Sequence, residues 1–128
     1  MPTVAELMSS DLLSVSGELA VVEAARAMHD RRVGAVVVLA DERLVGILTE
    51  RDILRAVATG SLEGPVSGSM THAPDTIEPG ESAGKAASIM IHGGFRHLPV
   101  VEGERVVGMV SIRDLVRVTL DDESPRGV

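Results

Sequence analysis

The sequence predicts an α/β (α+β) fold: one small β-α-β-β-α unit written twice, with small sheets covered by helices and the copies packed about a pseudo-two-fold axis. Three observations carry this expectation. Sliding the chain by 62 positions aligns it on itself with 13 identities over residues 4–57 and no gap, among them Val4 with Val66, Met28 with Met90, Gly46 with Gly108 and Asp52 with Asp114. Chance supplies roughly three or four at this composition. The same order of helical and strand-like apolar spacing recurs in both copies. Finally, a copy of about 60 residues buries too little surface to be comfortable alone, so the two should share a core within the 128 residues.

Each element follows from local pattern. A short apolar strand, residues 13–15 or 76–77, leads into a polar turn, SGE or EPGES. Leu19, Val22, Ala25, Ala27 and Met28 then recur at mixed three-four spacing, as do Ala83, Ala86, Ala87 and Met90, which predicts an amphipathic helix. The runs AVVVLA (35–40) and LPVV (98–101) read as buried strands. Residues 41–43 and 103–105 are short enough for hairpin turns, second strands follow at 44–48 and 106–110, and helices at 50–58 and 112–120 close each copy. Pro99 removes a ladder donor, which suggests an edge position or a kink. The domain limits are 1–60 for the first repeat, 61–120 for the second and 121–128 for a mobile polar tail.

Composition excludes several functions. The net charge is −7, and the cations, eleven Arg and Lys85, form no run longer than Arg31-Arg32. A negative field without a basic face argues against nucleic acid and anionic membranes. No apolar stretch approaches the 18 or more residues of a membrane helix, and the N-terminus does not read as a signal peptide, so the expected location is cytoplasmic. Cysteine is absent, which removes disulfides and thiolate chemistry. His29, His72 and His92 do not share a metal-ligand spacing, so no metal site is expected. No nucleophile, base and orienting group are set together by the repeat, which argues against an enzyme. Phe95 is the one aromatic residue, so a planar ligand would be gripped by aliphatic side chains and backbone.

The repeated phrases GILTERD (46–52) and GMVSIRD (108–114) carry the polar chemistry. A hydroxyl residue followed three positions later by an acid, just after a strand, is a helix N-cap resembling a capping box. In that use Thr49 or Ser111 satisfies first-turn N–H groups, and Asp52 or Asp114 complements the helix dipole. The same geometry also serves binding. Free N–H groups face outward at a helix start, and a carboxylate offers two acceptor oxygens to a pair of vicinal hydroxyls. Gly46 and Gly108 would relieve crowding where strand backbone approaches a ligand, or else mark a bulge or tight turn. Arg51 and Arg113 would meet phosphate oxygens or simply be solvated.

Two copies of Gly-apolar-apolar-Thr/Ser-x-x-Asp in register, with Phe95-Arg96-His97-Leu98-Pro99-Val100 leading the second copy's first long strand, resemble a tandem pair of cystathionine-β-synthase (CBS) domains, a Bateman module. The likeness covers residues 4 to about 118. It implies an energy-sensing regulatory module that binds AMP, ADP, ATP or S-adenosylmethionine in clefts between the halves, with no catalytic cofactor. It further implies that Asp52 and Asp114 hold ribose, that Thr49 and Ser111 reach ribose or α-phosphate, and that Ser14-Val15 and Thr76-Ile77 meet adenine. Arg96-His97 replaces Gly34-Ala35 of the first copy. The resemblance therefore implies that the Asp52 cleft, with Arg96 and His97 on its far wall, is the better phosphate site. It also implies a homodimer through helical faces, including exposed apolar positions on the helices at 19–30 and 112–120, and an unidentified target protein regulated in trans. The alternative is an interaction module in which the T/S-x-x-D phrases are only helix caps and nucleotides are ignored.

Overall fold

The computed structural model describes residues 2–123, with side chains described up to residue 118. In chain order the elements are α1 (Val4–Leu7), β1 (Ser14–Ser16), α2 (Val21–Arg31), β2 (Ala35–Ala40), β3 (Arg43–Thr49), α3 (Glu50–Thr59), a 3-10 turn (Val66–Gly68), β4 (Thr71–His72), α4 (Ala83–Gly93), β5 (His97–Glu102), β6 (Arg105–Ser111) and α5 (Ile112–Glu123). The expected helices and long strands are present to within a few residues. α5 runs on through Asp121 and Asp122 to Glu123, residues expected to begin the tail; residues 124–128 lie outside the described residues.

The chain forms two compact units, and neither is a sequence half. One is Asp11–Pro74 with the short piece Gly103–Val106; the other takes the rest of the described chain. In the first unit β1, β2, β3 and β4 form one sheet in that order. β1 and β2 are parallel, because α2 carries the chain across between them, whereas β2 and β3 form an antiparallel hairpin. The turn between them holds Asp41 and Glu42 at φ 50° and 65°, the double left-handed conformation of a tight two-residue hairpin. Val36, Val37 and Val38 are all buried, so β2 is covered on both faces. α2 buries Val21, Ala24 and Met28; of the expected stripe Leu19, Val22, Ala25, Ala27 and Met28, only Met28 is fully buried, and the other four are half-buried. So many small apolar residues fill this helix that several three-four stripes compete, and packing selects one.

The second unit repeats the plan. β5 and β6 form its hairpin, and α4 buries Ala86 and Met90. Its own core joins Val4, Ile77, Ala86, Met90, Leu98, Val100, Val110 and Leu115. The displacement of 62 holds bond by bond: Thr3 bridges Ser82 as Pro65 bridges Ala20, and Ser9 bridges Met109 as Thr71 pairs with Ile47. Each unit is thus completed by a segment that sequence assigns to the other repeat. The stretch before Asp11 lies on β6, and the stretch around the 3-10 turn lies on β3.

One strand is thinner in the second unit. Val15 pairs with Val38 inside a three-residue ladder, but its counterpart Ile77 makes only an isolated bridge to Val100. The Val37 N–H donates to the Leu13 carbonyl at 3.1 Å, and Pro99, at the matching position, has no N–H to give. Pro99 is fully buried, yet β5 has β6 as its one ladder neighbour in a two-stranded sheet, the edge placement expected of a strand proline.

Candidate functional site: the paired helix starts

The two phrases fold as their spacing demands. Thr49 is the N-cap of α3 in extended conformation, and its hydroxyl accepts from the Asp52 N–H at 3.4 Å. The Asp52 carboxylate turns back on the cap: Oδ2 accepts from the Thr49 N–H at 2.9 Å and from the Thr49 hydroxyl at 3.1 Å. At α5 the arrangement recurs. Asp114 Oδ2 accepts from the Ser111 N–H at 2.8 Å and the Ser111 hydroxyl at 3.0 Å, while the Asp114 N–H donates back to that hydroxyl at 3.2 Å. Both reciprocal caps are therefore formed.

This bonding limits what the acids can offer. Oδ2 already holds two hydrogen bonds in each copy, so only Oδ1 is left to accept from a ligand. Each cap hydroxyl has spent its one proton on the neighbouring carboxylate. It can accept from a ribose hydroxyl but cannot donate to a phosphate oxygen without leaving its acid.

Beyond the caps the copies diverge. Asp52 is 3% exposed, the one buried charged residue among those described, and its Oδ1 accepts from Arg55 Nη1 at 3.2 Å. Asp114 is half-buried, and its Oδ1 has no partner among the described residues. A buried carboxylate is tolerated when charge and hydrogen bonds meet it, and at Asp52 the guanidinium, the cap and the helix dipole supply them. Arg55 was visible in sequence only as an identity with Arg117. Its spacing of three residues from the acid was the signal for its role.

The strands place the remaining candidates. The α3 residue Glu50 donates its N–H to the Gly34 carbonyl at 3.1 Å, and at the matching place Ile112 donates to the Arg96 carbonyl at 2.9 Å. Backbone therefore sets Arg96 beside the start of α5, with half-buried His97 next in β5. Arg96, Arg51 and Arg113 are exposed, and none forms an ion pair among the described residues. On β1 Ser14 is exposed and Val15 half-buried; Thr76 is half-buried and Ile77 buried.

Each of the two glycines has a methionine side chain against it. A Cβ on Gly46 would run into the Met70 side chain, with Cγ at 2.9 Å; one on Gly108 would meet Met8 Sδ at 2.5 Å and the Ser9 carbonyl at 3.0 Å. The ladder also shifts register at Val38–Leu39, opposite Gly46. A methionine therefore packs against each glycine, and at Gly46 the partner strand also carries a bulge.

Among the described residues, the exposed large apolar ones are Leu54 and Val57 on α3, Ile91 on α4 and Val116 on α5. On α2 the exposed positions are Glu23, Arg26, His29, Asp30 and Arg31, while the apolar Val22, Ala25 and Ala27 are half-buried. Among the described residues no His, Asp or Glu grouping is placed to hold a metal ion, and no helix is long and apolar enough to cross a membrane.

Comparison with known proteins gives this geometry a family. The CBS domain model matches twice, at residues 4–59 and 66–121. The chain belongs to the CBS-domain family. The CBS domain-containing protein YhcV of Bacillus subtilis is 34% identical over 126 residues, spanning 97% of this chain and 90% of that one. Among solved structures, the CBS-domain containing protein ATU1752 of Agrobacterium tumefaciens is 36% identical with a TM-score of 0.86, covering 91% of this chain and 98% of its own. The CBS domain protein PAE2072 of Pyrobaculum aerophilum, solved in complex with AMP, is 33% identical with a TM-score of 0.85, covering 94% and 96%. The chain is therefore a tandem CBS pair of mixed α/β fold, a Bateman module.

Proposed function

We propose that this CBS pair is a non-catalytic sensor of adenosyl ligands, with AMP, ADP or ATP the first choices and S-adenosylmethionine the second. The observation that carries the reading is the capped acid repeated at each helix start, Asp52 and Asp114, to which the reading assigns the ribose; a 33% identical relative solved with AMP supports it. Ser14, Val15, Thr76 and Ile77 offer adenine an aliphatic and backbone surface, in keeping with a chain that has one aromatic residue. Thr49 and Ser111 face ribose as acceptors, and Arg51, Arg96, His97 and Arg113 serve the phosphates.

A ligand regulates only by favouring one arrangement of the protein over another. The proposed readers of that change are a second copy of the chain, docked through the apolar positions on α3, α4 and α5, and a cytoplasmic target protein acted on in trans. The test is a thermal-unfolding series with AMP, ADP, ATP, S-adenosylmethionine and NAD. A ligand at one hundred times its Kd adds about 2.7 kcal/mol. A shift with one or more adenosyl ligands is expected; no shift with any of them would leave the caps as caps and the protein as an interaction module.

A further inference from the structure

We infer that the second unit opens by itself while the first stays folded, because both flanks of its hairpin are held by single bridges where the first unit has ladders. The opening part is the segment before Asp11 together with Asp75–Glu102 and the chain from Val107. This behaviour belongs to the fold and is independent of the adenosyl reading.

Burial does not separate the two units. Ala24, Met28, Val36, Val38 and Leu48 in the first and Ala86, Met90, Leu98, Val100 and Val110 in the second hold the same repeat positions, and all are buried. Leu98 replaces Val36 and Val110 replaces Leu48, so the apolar volume is nearly even. The difference lies in the backbone.

On one flank, β1 pairs with β2 through Ser14, Val15 and Ser16, whereas Ile77 makes a lone bridge to Val100. Pro99 stands where Val37 gives its N–H to the Leu13 carbonyl. On the other flank, β4 pairs with β3 through Thr71 and His72, and the Ala73 N–H reaches the Val45 carbonyl at 3.2 Å. In the second unit Ser9 bridges Met109, but Ser10 and Asp11 make no backbone hydrogen bond among the described residues. A side chain adds to the contrast. His72 donates through Nε2 to the Ser67 carbonyl at 3.0 Å, and Ser10, at the matching position, has no ring to do so. α4 also carries Gly84 where α2 has Val22, and glycine is the weaker helix former.

A unit of about 60 residues is marginal by itself, and a native protein opens first where it has fewest protecting backbone bonds. A molecule that binds only the closed second unit draws it shut by mass action. One that binds the first unit alone has nothing to close. The second unit is thus the element through which a bound ligand or partner changes order in the chain.

Native-state hydrogen exchange on the full chain tests this, with each unit as the control for the other. Ala24 and Ala86 donate to the Ala20 and Ser82 carbonyls at 3.1 and 3.2 Å, so unequal protection there reports the unit and not the bond. After correction for intrinsic rates, Ala86, Met90, Leu98, Val100 and Val110 are expected to exchange about tenfold or more faster than Ala24, Met28, Val36, Val38 and Leu48. The faster set should share one shallow urea dependence. Pro99→Val, which restores the residue type of the first unit, should slow the second set about threefold or more and leave the first unchanged. His72→Ser should speed the first set only. Equal protection of the matched amides, or faster exchange in the first unit, would overturn the inference. So would a Pro99→Val variant that slows both sets alike or neither.

Discussion

Met70 lies where a side chain on Gly46 would have to go, and Met8 does the same at Gly108, but the two contacts differ in hardness. Around Gly46 the obstacle is a flexible thioether; around Gly108 the Ser9 carbonyl adds a backbone atom that cannot swing away. Overpacking of this kind costs about 1–3 kcal/mol. Gly46→Ala should fall at the low end and Gly108→Ala at the high end in urea unfolding. Adding Met70→Ala to Gly46→Ala should recover part of the loss, as coupled neighbours do; strictly additive costs would contradict the contact. The acids offer a second residue-scale expectation. Asp52→Ala removes acceptors from a buried cap and strands the Thr49 N–H, a loss of about 1–3 kcal/mol. Asp114→Ala, at a half-buried site, should cost less, and both effects should appear without any ligand.

Among the elements, the second copy serves as an internal control for the first. α2 ends on Arg32 in the left-handed conformation, φ 56°, where α4 ends on Gly94 at φ 72°. Glycine pays no Cβ penalty there. Arg32→Gly is therefore expected to stabilise the protein by roughly 1 kcal/mol, the strain of a non-glycine left-handed residue, read as a raised urea midpoint with unchanged slope. A lowered midpoint would mean that the arginine stem contributes more than the strain costs. Pro99 shows the reverse economy, since the proline that removes one ladder donor reduces a three-residue strand pairing to a single bridge. Sequence showed that a donor was missing; which strand lost its partner depended on knowing that residue 99 lies opposite residues 75–77.

Across the whole molecule, the exchanged segments make each unit depend on both ends of the repeat. Val4 sits in a four-residue helix at the start of the chain, yet it is fully buried in the core built from Ile77, Ala86, Leu98 and Val110. Val4→Ala should cost roughly 1–2 kcal/mol, a little above the transfer of two methyl groups because a cavity remains. Its effect on native-state hydrogen exchange should concentrate in β5, β6 and α4, sparing β2 and β3, because local opening follows packing and not chain order. Faster exchange confined to residues 11–74 would refute the assignment of the N-terminal segment to the second unit.

The sequence by itself determined the duplication, the order of elements, the long strands and both capped helix starts, because each rests on contacts within a few residues or on identity at a fixed displacement. The domain family was legible for the same reason. Only the tertiary structure decided which stripe of α2 is buried, which segment completes which unit, what packs against Gly46 and Gly108, and that Asp52 and Asp114 are not equivalent. Those outcomes depend on neighbours distant in sequence, or on which rotamer of an arginine meets a carboxylate, and a pattern of residue types carries neither.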